Sequence, residues 1–125
     1  MSDAFNELRR YLDEKKPIVD EQLQASEAVN TVAAAALQAV ANELKVRRLP
    51  ANLELRVGVV NFSVKPSNSR LEWGHLEYSA VEPATVRIEM TIPGKPAEQA
   101  LVSAPDVTVE SVNAAALRFV RKALG

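Results

Sequence analysis

His75 is the only histidine in the chain, and the carboxylates nearest to it in sequence are Glu72 and Glu77. A metal centre would need all three on one surface, because a bound zinc ion takes at least three protein ligands. The strand pattern around them puts Glu72 and Glu77 on opposite faces, so no metal is expected. Acid–base catalysis needs carboxylates in unequal, partly buried environments, and Glu54, Glu77 and Glu89 read as solvated strand positions. Nucleophilic catalysis needs a Ser or Cys beside an activating base. The chain has no cysteine, and the sequence sets no base beside its serines. Residues 65–70, Lys-Pro-Ser-Asn-Ser-Arg, lack the Gly-rich backbone and the lysine placement of a phosphate-binding loop. No catalytic residue, metal ligand or cofactor is therefore expected. The chain reads as non-enzymatic.

The elements that must position any other kind of site follow from composition and periodicity. At 125 residues the chain suits one domain, spanning 1–125, with a real core. Its 15 basic and 16 acidic residues leave a formal charge of −1, so no overall field draws it to nucleic acid or to an anionic membrane. The basic residues Arg9, Arg10, Lys15, Lys16, Arg47 and Arg48 are scattered over two helix ends and diluted by Asp13 and Glu14. The absence of cysteine fits a reducing compartment. The first seven residues, Met-Ser-Asp-Ala-Phe-Asn-Glu, lack the basic start and apolar run of a signal peptide, and the charge-free stretch 28–42 is shorter than a membrane span. A soluble, cytoplasmic protein without a membrane partner is expected.

Phe5, Leu8, Tyr11 and Leu12 share one helical face, with Ser2 or Asp3 available as a cap, which predicts a short amphipathic helix over 3–15. Pro17 suits the first position of a second helix, and Asp20 and Glu21 suit its dipole. That Ala-rich helix is expected over 17–46, roughly 45 Å long at about 1.5 Å per residue. Along it Val19, Leu23, Ser26, Asn30, Ala33, Leu37, Val40 and Leu44 alternate steps of four and three, the spacing of a coiled-coil seam. Its Ala33–Leu44 half is expected to floor a sheet. The N-terminal half, around Val19, Leu23, Ser26 and Asn30, is the part expected to meet another chain.

From Leu53 the period becomes two. Residues 53–64 read as one strand whose apolar parity flips near Gly58, and 71–80 as a second whose parity flips near Gly74. One hairpin register satisfies both flips, opposing Val57 with Tyr78 and Phe62 with Trp73. A third strand follows the Glu82-Pro83-Ala84 turn, with Val86 beside Ala80, Ile88 beside Tyr78 and Met90 beside Leu76. Residues 99–103 read as a short fourth strand, and 109–124 as a helix that packs Val112, Ala116, Phe119, Val120 and Ala123 on the same sheet face. The fold class is thus α+β: two N-terminal helices, an antiparallel meander of three or four strands with a protruding first hairpin, and a C-terminal helix.

In that register Phe62, Val64, Leu71 and Trp73 form an apolar patch at the tip of the first hairpin, facing away from the core. An isolated two-stranded ribbon is marginal in water, so the patch calls for a protein partner, a second copy, or the chain's own helices folded over it. The expected function is protein–protein interaction or assembly, as a homo-oligomer or with another protein, through Phe62, Val64, Leu71 and Trp73 and through Val19, Leu23, Ser26 and Asn30. A small-ligand or nucleic-acid module is the alternative, and a small enzyme a more remote one. The order helix, three strands, helix is also that of the double-stranded RNA-binding domain. That domain's final helix opens on a basic cluster, whereas Thr108-Val109-Glu110-Ser111-Val112-Asn113 stands here, which excludes the phosphate contacts the family depends on.

Overall fold

The computed structural model describes residues 3–66 and 72–125, and of residues 15–23 the backbone alone. Among the described residues, α1 (Asp3–Glu27) runs through a π-helical stretch (Ala28–Ala33) into α2 (Ala34–Val46). This single rod, roughly 65 Å long at about 1.5 Å per residue, replaces the two helices expected from the sequence. Pro17 does not break it. An interior proline forfeits one bond to the carbonyl four residues back, which here belongs to the exposed residue Asp13, where water can take it. The rod ends where Arg48 adopts a φ of 60° and the Leu49 amide returns to the Leu44 carbonyl at 2.9 Å.

Five antiparallel strands follow in the order β1-β2-β3-β4-β5. They are β1 (Ala51–Arg56), β2 (Val59–Val64), β3 (Gly74–Glu82), β4 (Thr85–Thr91) and β5 (Glu98–Ser103). What reads in sequence as one long strand over 53–64 is two, β1 and β2, joined at Val57 and Gly58. Arg56 opposes Val59 across this turn; a pairing of an even with an odd position makes the inward parity switch from Leu53 to Phe62. Gly58 supplies the φ of 73° that the turn requires. The parity flip is thus the turn itself.

The register of the next pair changes accordingly. Val60 opposes Tyr78, Phe62 opposes Leu76 and Val64 opposes Gly74, in place of the expected pairing of Phe62 with Trp73. Between β3 and β4 the register is the expected one, with Ala80 opposite Val86, Tyr78 opposite Ile88 and Leu76 opposite Met90. β5 lies beside β4, with Val102 opposite Val86.

One sheet face carries the core. Val60, Phe62, Val64, Leu76, Tyr78 and Val86 are buried there beneath Val29, Ala33, Leu37 and Ala41 of the rod. α3 (Val109–Leu124) packs beside α2 with Val112, Ala116, Phe119 and Ala123 buried. A capping box starts it: the Ser111 amide donates to Thr108 Oγ1 at 3.1 Å, and the Thr108 amide donates to Ser111 Oγ at 2.9 Å. Phe119 meets Phe62 edge to face at 5.7 Å and comes so close to β3 that a Cβ on Gly74 would stand 3.3 Å from its ring. At the far edge Glu98 of β5 accepts from Arg118 and from Lys122, the latter at 2.9 Å. The Lys122 hydrogen bond, with help from the Arg118 charge, holds the Glu98 carboxyl below its ordinary range.

Candidate interaction surface

The hairpin patch expected from the sequence does not form. Phe62 and Val64 are each 0 % exposed; the turn at Gly58 reverses their parity and points them at α3 and the rod instead of at solvent. Trp73 is half-buried just ahead of β3, and Leu71 lies outside the described residues, as do the side chains of Val19 and Leu23. Ser26 and Asn30 are brought together at the β1–β2 turn of their own chain. Asn30 Oδ1 accepts from the Gly58 amide at 3.0 Å, and Ser26 Oγ would lie 3.5 Å from a Cβ on Gly58. Of the polar residues of the expected seam, Asn30 thus holds a turn of its own chain and Ser26 lies against it.

The opposite sheet face is polar, and it corrects a second expectation. Ser63 Oγ lies 2.8 Å from His75 Nδ1, so a serine does stand beside a base; adjacent strands supply what the linear sequence hides. Asn61 Oδ1 accepts from Ser63 Oγ at 3.0 Å and also lies 3.1 Å from His75 Nδ1. Asn61 Nδ2 reaches Glu77 at 3.4 Å. In a catalytic triad the third residue holds the ring nitrogen that the serine does not use. Here Asn61 and Ser63 share the same nitrogen, so among the described residues no third group aims the imidazole at the serine. A cleft of about 440 Å³ lies elsewhere, between Ala28 and Val32 of the rod and Ala104 and Pro105. Among the described residues no group of three or more His, Cys, Asp or Glu side chains is placed to hold a metal ion.

The surface that sequence reasoning passed over is the start of α1. Residues 3–14 are all exposed, and Phe5, Leu8, Tyr11 and Leu12 keep about half of their surface open to water. Arg9 lies over the Phe5 ring at 4.8 Å. The first described residue after this stretch to be buried is Ala25, whose amide reaches the Pro83 carbonyl at 3.2 Å. α1 is therefore an arm that leaves the sheet beside the β1–β2 and β3–β4 turns. Three further large apolar side chains stand open at that same end: Leu55, Val81 and Val57, the last 91 % exposed. The amphipathic spacing of the arm is legible in the sequence; that it lies beyond the sheet is not.

No protein-family model, curated protein or solved structure matches this chain. Its surfaces therefore carry the functional argument alone. Among the described residues no helix is long and apolar enough to cross a membrane.

Proposed function

We propose that the chain is a non-enzymatic interaction or assembly module, in which the sheet and its helices form a head that holds out the α1 arm for a protein partner. The observation that carries this reading is the open apolar stripe of Phe5, Leu8, Tyr11 and Leu12 on a helix that stands clear of the sheet. An isolated helix of this length is marginal in water, and most helical stability comes from covering an amphipathic face. The interior proline adds a cost of roughly 3 kcal/mol. Covering four half-exposed large side chains returns on the order of 1 kcal/mol apiece, which offsets that cost. A partner and a formed arm thus require one another.

The test is a double substitution, Leu8→Glu with Leu12→Glu. Thermal unfolding of the head should shift by no more than about 2 °C, while partner binding and the helical circular-dichroism signal of the arm are lost. Should the head instead unfold with the substitutions, those leucines belong to its core and the arm is no docking element.

A further inference from the structure

We infer that the partner is a second copy of the chain, its arm lying antiparallel to the first in an isologous dimer; this rests on reading the arm as the docking element. The stripe faces the layer that the sheet occupies. From Ser26, which meets the β1–β2 turn, about five turns of α1 at 3.6 residues each lead back to Leu8, with Leu12 and Phe5 one step of four and one of three to either side. Where the sheet stops, the arm therefore overhangs a gap one layer deep. Sheet and helix layers are both about 10 Å thick, so a second helix fits that gap.

Direction is decided by the heads. Parallel arms would bring two sheets into the same layer beside each other, whereas antiparallel arms set the heads at opposite ends. Each tip then reaches the end of the partner's sheet, where Leu55, Val57 and Val81 are open. Both sets of exposed apolar residues are covered by one two-fold contact. The charges agree: Arg9, Asp13, Lys16 and Asp20 follow one another in the sequence at steps of four, three and four with alternating sign. Read as sequence, such a series is complementary to its own reversal. Arms overlapping over roughly 30 Å, with both tips seated on sheet ends, approach the ~1,200 Å² at which specific interfaces begin.

The chain has no cysteine, so introduced thiols report without interference. Within one chain Phe5 stands roughly 30 Å of helix away from the head, far beyond the ~7 Å that a disulfide spans. Under mild oxidation the full chain carrying Phe5→Cys and Val57→Cys together should form a covalent dimer, and neither single variant should. Light scattering of the unsubstituted chain should show a dimer, weakened on the order of 100-fold by Leu8→Glu with Leu12→Glu. A chain that stays monomeric at about 100 µM, a concentration at which a specific contact is filled, overturns the pairing and leaves the arm open to a different protein. A dimer that survives the double substitution overturns both the pairing and the role of the arm. A dimer that the substitution breaks but the thiols do not cross-link overturns the antiparallel arrangement.

Discussion

Phe62→Ala is expected to lower the free energy of unfolding by about 3–5 kcal/mol, the cost of an aromatic deletion in a packed core. Phe62 is fully buried, stacked edge to face on Phe119 and flanked in the sheet by Leu53 and Leu76. The cavity cannot close easily. Phe119 belongs to a helix already pressed against Gly74, where a ring-to-backbone approach leaves no space for a Cβ without a shift. Trp73→Ala should cost less than roughly half as much, because Trp73 is half-buried and precedes the strand. Urea unfolding curves decide it: a lowered midpoint at unchanged slope for Phe62→Ala. Equal, small effects at both residues would mean that they share an exposed face after all, as the sequence alone suggests.

Tyr78→Phe should raise stability and remove a loss at alkaline pH. The side chain is 1 % exposed and its hydroxyl has no hydrogen-bond partner among the described residues. A buried hydroxyl without a partner carries a desolvation cost of about 1 kcal/mol or more, which phenylalanine avoids while keeping the ring between Val60 and Ile88. Burial also pushes the Tyr78 pKa up from 10.0 to about 12. The unfolded chain then gives up this proton first. The stability associated with the neutral phenol is complete below pH 10 and is lost as pH rises to 12, on the order of 2 kcal/mol across the window. Denaturation of both proteins between pH 9 and about 12 checks the sign: the difference between them should widen with pH. Destabilisation by Tyr78→Phe at neutral pH would show that the hydroxyl has a partner.

The parts of this fold that were legible in the sequence are those in which one local pattern determines one geometry. α3 begins at a Thr108 cap and ends with its basic last turn, and both signals stand in the sequence. The β3–β4 register follows from counting back through the Glu82-Pro83-Ala84 turn, and it survives the bulge between Ala80 and Glu82. The first hairpin is different. A two-residue turn and a bulge both reverse the parity of an alternating strand, and Val57-Gly58 lacks the Asn-Gly or Asp-Gly pair that signals a turn. Reading 53–64 as one strand through the flip displaces the next register and moves Phe62 and Val64 from the core to the hairpin tip.

Pro17 misled in a similar way. Proline followed by acidic residues is the signature of a helix start, but the carbonyl it leaves without a donor belongs to the exposed residue Asp13, where water meets it and the helix runs on. The apolar spacing of Phe5, Leu8, Tyr11 and Leu12 marks one helix face without showing whether anything covers it. Whether an amphipathic face is covered is a property of the tertiary structure, decided by where the sheet ends. The Ser63–His75 contact was invisible for the same reason, since its partners sit on neighbouring strands twelve residues apart.

Hydrogen exchange over residues 3–14, followed across protein concentration, tests most directly the claim that the arm, and not the first hairpin, is the surface that recognises a partner. Arm amides should gain protection as concentration rises and lose it on dilution, while the β2 and β3 amides stay protected throughout. Arm protection that is high at every concentration, or β2 amides that exchange as fast as the arm, would contradict it.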